Sequence, residues 1–175
     1  MNILAFGASN SINSMNKMLA TYVANLIEDA TVDVVDLNDY EMPLFSVDKE
    51  AQLGELPLAK AFLEKIAASD LVVISFAEHN GSYSAAFKNL FDWCSRINTK
   101  VYQGKPLLLL ATSPGPRGAQ SVLSQAEDTS ARFDGHVIAA ISVPSFYDNF
   151  DVDSGKINND DINAKLIAAV KNIIE

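Results

Sequence analysis

Asn2-Ile3-Leu4-Ala5-Phe6-Gly7 runs directly into Ala8-Ser9-Asn10-Ser11-Ile12-Asn13-Ser14-Met15-Asn16, and this junction decides the fold. A short apolar run ends at a glycine. A segment crowded with hydroxyl and amide side chains follows. Then Met15, Met18, Leu19, Tyr22, Val23, Leu26 and Ile27 recur at spacings of three and four, one apolar stripe of a helix. The pattern predicts a strand, a loop and a helix N-terminus. Backbone N–H groups at a helix start have no intrahelical partner, and the helix dipole is positive there. Small side chains admit a phosphate, and serine hydroxyls add donors. The stretch reads as an anion cradle built from Ser9, Ser11 and Ser14, although an ordinary exposed loop with a serine cap would look similar. It is neither a Walker A loop nor G-x-G-x-x-G, and no basic residue precedes Lys17.

The same alternation continues outward. Thr31–Leu37 reads as a second strand, with Asp33 suggesting a sheet edge. Residues 38–56 read as an irregular connection, and Pro57 opens a helix at its first turn. Leu71–Phe76 is a buried strand, followed by a loop at Ala77–Ser82 and a helix from about Ser84 to Ile97. Leu107–Thr112 is the fourth strand, with its loop at Ser113–Gly118 and a helix from about Ala119 to Arg132. His136–Ser142 is the fifth, and a long loop over 143–158 leads to a last helix capped by Asn159. Five strands alternating with five helices predict an α/β three-layer sandwich around a parallel sheet. Right-handed crossovers make a flavodoxin-like order 2-1-3-4-5 the simplest topology. With no linker or repeat in the chain, residues 1–175 are expected to form a single domain.

Composition narrows the function. The 175 residues are 49% hydrophobic with a net charge of −9, which argues against disorder and against a general nucleic-acid or anionic-membrane binder. No apolar run approaches the ~20 residues of a bilayer span. The first apolar run is too short for a signal peptide, and the single cysteine, Cys94, leaves no intrachain disulfide, so a cytoplasmic protein is expected. Two distant histidines and one cysteine make no metal site. Cys94 falls on the apolar side of its helix and reads as a buried structural thiol.

In such a sheet the loops after strands 1, 3 and 4 adjoin at one edge, and all three here are small and polar, as a single extended ligand requires. At this point the sequence resembles the NAD(P)H-dependent FMN reductases of flavodoxin-like fold, which include quinone, azo-dye and chromate reductases. Ser9, Ser14 and Asn16 match the family loop G-S-x-R-x-x-S-x-N. Asp36-Leu37 with Met42-Pro43-Leu44-Phe45 and Asp48 match its second-strand exit. Glu78-His79-Asn80-Gly81-Ser82, Lys88-Asn89 and Asp92-Trp93 match P-E-Y-N-G-S…L-K-N…D-W, and Ser113-Pro114-Gly115 with Gly118 match its third loop. The chain departs at Ala8 for Gly, Ser11 for Arg, Ala77 for Pro and His79 for Tyr.

The resemblance implies FMN, with Ser9, Ser11, Ser14, Met15 and Asn16 at its phosphate. Ala77, Glu78, His79, Asn80 and Gly81 would face its ring, mainly through backbone groups, together with Ser113, Pro114 and Gly115. Arg117 is either a partner for flavin or nucleotide oxygens or a solvated loop residue. NADPH or NADH is the implied hydride donor and a quinone or similar small molecule the acceptor, with the chemistry carried by the flavin and no side chain assigned as acid or base. A flavodoxin-type electron carrier and a flavin-less scaffold or sensor are the alternatives. The helix over 84–97 carries Phe87, Phe91, Trp93 and Ile97 across an arc wider than one sheet contact, which predicts a homodimer or homotetramer through that face. The cluster Phe146–Phe150 is either core packing or a cover over the site.

Overall fold

The computed structural model describes residues 1–174. The elements are β1 (Asn2–Ala8), α1 (Met15–Ala24), β2 (Thr31–Val35), α2 (Val47–Leu53), α3 (Pro57–Ala68), β3 (Leu71–Phe76), β4 (Glu78–His79) and β5 (Ser82–Tyr83). They continue with α4 (Ala85–Ile97), β6 (Pro106–Thr112), α5 (Gln120–Ser130), β7 (His136–Val143), α6 (Phe146–Asn149), β8 (Phe150–Asp151), β9 (Lys156–Ile157) and α7 (Asp160–Ile174). The main sheet is parallel, in the order β2-β1-β3-β6-β7. Because β4–β5 and β8–β9 are separate hairpins, this is the expected 2-1-3-4-5 arrangement.

Both faces of the three inner strands are apolar, so each strand is a continuous hydrophobic run rather than an alternating one. Leu4, Phe6, Val72, Ile74, Leu107 and Leu109 pack under α3, α4 and α5 through Phe62, Phe87, Leu90, Trp93 and Val122. Ile3, Ala5, Val73, Leu108 and Leu110 pack under α1 and α7 through Leu19, Val23, Leu166 and Val170. Phe146 and Phe150 are buried and stacked with ring centroids 4.7 Å apart, so these two rings are core packing, while Tyr147 between them is 62% exposed. No helix among the described residues is long and apolar enough to cross a membrane.

Four expectations are corrected. Residues 38–56 are not irregular throughout: Asp36 caps a 3₁₀ turn at Leu37–Tyr40, and Ser46 caps α2 by accepting from the Lys49 N–H at 3.1 Å. None of the residues of α2 is buried, so the helix has no apolar stripe to announce it. Ala77–Ser82 is largely a hairpin, β4–β5, because Asn80 (φ 53°) and Gly81 (φ 79°) supply the two left-handed residues of a tight turn. The 143–158 loop contains α6 and the β8–β9 hairpin. Finally, the wide apolar arc of α4 is covered from within the chain. Trp93 is 1% exposed, donates its indole N–H to the Pro43 carbonyl at 2.8 Å and meets Phe45 edge-on at 5.2 Å. The loop that packs over Trp93 accounts for its part of the arc.

Candidate functional site

The loops after β1, β3 and β6 converge on a cleft of about 220 Å³ lined by Ser9, Ser11, Asn13, Ser14, Met15, Asn16, Ala77, Glu78, His79 and Pro114. Gly7 makes this closeness possible: a Cβ there would lie 2.4 Å from the Lys17 amide nitrogen, so the end of β1 rests on the backbone of the first turn of α1. Ser14 caps α1 by accepting from the Lys17 N–H at 3.1 Å, and Ser9 accepts from the Ser11 N–H at 3.1 Å. Each hydroxyl is oriented by the bond it accepts and keeps its own O–H to donate. The amides of Met15 and Asn16, at the start of the helix, have no protein acceptor among the described residues. Two free amides and two oriented hydroxyls at a helix N-terminus are a donor set that fits a phosphate. Ser11 lies exposed at the loop tip.

Asn16 holds this cradle in place through its side chain. Its Oδ1 accepts from the Ser75 hydroxyl at 2.7 Å and from the Thr112 N–H at 3.2 Å, and its Nδ2 donates to the Thr112 carbonyl at 3.3 Å. One buried amide thus ties the start of α1 to the ends of β3 and β6. The part of Asn16 left for a ligand is its backbone N–H. Lys17 turns away from the cleft and pairs with Asp36 at 2.6 Å. That bond, together with the Asn38 N–H, holds the Asp36 carboxyl below its ordinary range. The first loop therefore has no unpaired cation of its own.

The hairpin β4–β5 forms the opposite wall. Glu78 lines the cleft, but its Oε2 accepts from the Val122 N–H at 2.9 Å, in the first turn of α5. His79 is exposed and stands between this cleft and a second one of about 340 Å³, whose lining includes Tyr40, Met42, Leu44 and Asn89. Asn80 and Gly81 are exposed at the hairpin turn. In the third loop only Pro114 reaches the cleft. Ser113 and Gly115 are braced from behind by the Phe146 and Ser145 N–H groups, at 3.0 and 2.9 Å. Arg117 is exposed and donates to the Ser121 hydroxyl at 3.0 Å, along α5. A larger groove of about 610 Å³ between α1 and the β8–β9 hairpin shares only Ser14 with the cleft and lacks its converging amides.

Sequence reasoning gives no role in the site to several residues that shape it. Ser75 and Thr112 sit at strand ends, where a small polar residue in an apolar run is the signal. Ser84 caps α4 by accepting from the Phe87 N–H at 3.2 Å and donates to the Ala8 carbonyl at 2.8 Å. Asn89 fixes the second cleft's wall by accepting from the Phe45 N–H at 2.8 Å and donating to the Met42 carbonyl at 3.1 Å. Cys94 is fully buried against the Ala59 carbonyl, and burial pushes its thiol up to about 12.

Comparison with known proteins agrees with this geometry. The profile of the NADPH-dependent FMN reductase family matches residues 1–148. A 2-hydroxy-1,4-benzoquinone reductase of Burkholderia sp. is 34% identical over 137 residues, covering 77% of this chain and 71% of that protein. The quinone reductase of Escherichia coli K12 is 33% identical over 106 residues, covering 60% of this chain and 56% of that one. Among solved structures, the flavoenzyme NAD(P)H:(acceptor) oxidoreductase FerB of Paracoccus denitrificans superposes with a TM-score of 0.74 at 21% identity, covering 98% of this chain and 93% of that one, a likeness of fold. With the profile spanning most of its length, the chain belongs to the NADPH-dependent FMN reductase family.

Proposed function

We propose that this chain is an FMN-dependent oxidoreductase that takes a hydride from NADPH or NADH and passes two electrons to a quinone or a similar small acceptor. The observation that carries the reading is the convergence of a phosphate-type donor set and two polar loops on one cleft. In this reading Ser9, Ser11, Ser14 and the amides of Met15 and Asn16 hold the phosphate. Backbone groups of Ala77–Gly81 and of Ser113–Gly115 hold the ring, and Arg117 stands at the rim. When bound, FMN supplies the hydride chemistry, and the protein supplies position and exclusion of water. No side chain is assigned as acid or base. The net change is one NAD(P)H and one proton consumed per quinone reduced to its hydroquinone.

The same reading takes residues 1–175 as one flavin-binding unit in the cytoplasm, where a free thiol such as Cys94 persists. It also takes the chain as a homodimer or homotetramer. Support for association comes from two exposed apolar side chains close in sequence, Leu44 (78% exposed), which lines the second cleft, and Val47 (73% exposed).

The test is titration of the protein with FMN and riboflavin, followed by NADPH and NADH oxidation in the presence of several quinones. Hydrogen bonds to an ionised phosphate contribute about 1.5–3 kcal/mol each, so even one should make FMN bind more tightly than riboflavin by at least about tenfold. Equal affinities would show that the first loop is no phosphate site. Bound FMN without pyridine-nucleotide oxidation would turn the reading into that of an electron carrier.

A further inference from the structure

Helix α5 lacks an N-cap of its own. Ala119 occupies the cap position at φ 59° and has no side-chain oxygen to offer. Val122 is the third residue of the helix, and an N–H at this position has no intrahelical acceptor and is ordinarily taken by a Ser or Asp cap. Here Glu78, on the neighbouring hairpin, takes it at 2.9 Å, with its carboxylate beside the positive end of the helix. Two further side-chain contacts follow along the same hairpin. The Ser82 hydroxyl donates to Gln125 Oε1 at 2.9 Å, and the Tyr83 and Thr129 hydroxyls lie 3.2 Å apart. Val122, Gln125 and Thr129 are spaced by three and four, so one stripe of α5 receives the whole hairpin.

We propose that Glu78 is a positioning residue that caps α5 from the adjoining hairpin and thereby fixes the width of the slot between the β4–β5 hairpin and the loop that precedes α5. The hairpin carries Glu78–Gly81, and the segment before α5 carries Ser113–Gly118. One end of the Glu78–Val122 bond therefore lies on the hairpin wall, and the other lies in the first turn of the helix that the second wall leads into. The proposal rests on the FMN reading above for what the slot holds, while the clamp itself is a property of the protein alone.

The experiment has one arm that needs no flavin. Backbone amide exchange at Val122 is measured in flavin-free wild type, Glu78→Ala and Glu78→Gln. Protection should fall by about five- to tenfold in Glu78→Ala, the size of one lost cap, and be largely kept in Glu78→Gln, which retains an acceptor oxygen. In the second arm FMN and riboflavin affinities are measured. Glu78→Ala should weaken both flavins, FMN no more than riboflavin, because the defect lies at the ring wall and the lost carboxylate only opposed the phosphate, and Glu78→Gln should restore both. Ser14→Ala should weaken FMN alone. If Glu78→Ala does not fold, Gln125→Ala, which cuts the second contact, should weaken both flavins together to a smaller degree. Unchanged protection at Val122, or a loss confined to FMN, overturns the proposal. Failure of the wild type to bind either flavin defeats the functional reading but leaves the Val122 measurement to decide the clamp.

Discussion

Replacing Asn16 by alanine should be the most damaging single polar substitution near the cleft. The amide is 3% exposed, and its partners are buried as deeply, Ser75 at 0% and Thr112 at 1%. Alanine removes both the acceptor of two bonds and the donor of a third. The Ser75 hydroxyl and the Thr112 N–H are left without partners in a region closed to solvent. A buried polar group so abandoned costs about 1–3 kcal/mol, so two of them set an expectation of about 3 kcal/mol. That is a large fraction of the roughly 5–15 kcal/mol by which a domain is stable. Urea unfolding followed through Trp93 fluorescence reads it directly. Ser75→Ala should cost less, about 1 kcal/mol, because Asn16 keeps its bonds to Thr112. In the double variant the Asn16 penalty should shrink by about 1 kcal/mol, the coupling expected of groups in contact. A loss under about 1 kcal/mol for Asn16→Ala, with additive double-variant values, would show that the amide does not tie α1 to the sheet.

Cys94, buried and with its thiol pushed up to about 12, should not react with aromatic disulfides at about pH 8 until the protein is unfolded in denaturant. Trp93→Ala should cost about 3–5 kcal/mol, and Trp93→Asp should give an unfolded chain by circular dichroism, not a folded monomer. Asp36 has its carboxyl lowered in the folded state, so the stability it contributes is present above the ordinary value of 3.8 and is lost as pH falls through the folded one. Because the pair is partly exposed, Asp36→Asn should remove no more than about 1 kcal/mol of acid-side slope in urea melts between about pH 5 and 2.5. Ser11→Arg should tighten FMN and leave riboflavin unchanged in fluorescence titrations, since a cation at the exposed tip of the first loop acts on the phosphate alone.

The fold was legible because its signals are long and redundant. Three inner strands are continuous apolar runs, and each is followed by a helix with a stripe at spacings of three and four. The misses share a physical cause. Helix α2 buries none of its residues, so only Ser46 and the acids after it mark the helix start. The β4–β5 hairpin is two residues wide on each arm, too short for periodicity, and its one signal was Asn80-Gly81. Trp93 was misread because a helical wheel counts apolar residues without knowing which loop covers them. Residues 42–45 do so, and that contact spans roughly fifty positions of sequence. At the site, residue types were readable but not their commitments. Nothing in the string Ser14-Met15-Asn16 says that the Asn16 side chain faces Ser75 and Thr112 while its N–H faces the loop. Arg117 was open to two readings, and the structure lays it along α5 against Ser121.

The electrostatics of the cleft follow from these commitments. The chain carries a net charge of −9, and the nearest cation to the first loop, Lys17, is held by Asp36. An anion in the cleft is therefore attracted by oriented dipoles: the free amides of Met15 and Asn16, the helix behind them, and the hydroxyls of Ser9 and Ser14. Such dipoles are effective only when nothing negative nearby opposes them. Glu78 is the one carboxylate among the residues that line the cleft. Two like charges about 5 Å apart would repel by roughly 3 kcal/mol at an effective dielectric constant of 20, comparable to what one or two hydrogen bonds to an ionised phosphate supply. The bond to Val122 seats that carboxylate on the N-terminus of α5, where a second helix dipole offsets its charge. In the proposed reading a cradle without a cation is workable because its one acidic neighbour is held against a helix end, whose dipole offsets part of its charge. Removing the Val122 contact while keeping the carboxylate should harm FMN binding more than removing the carboxylate itself.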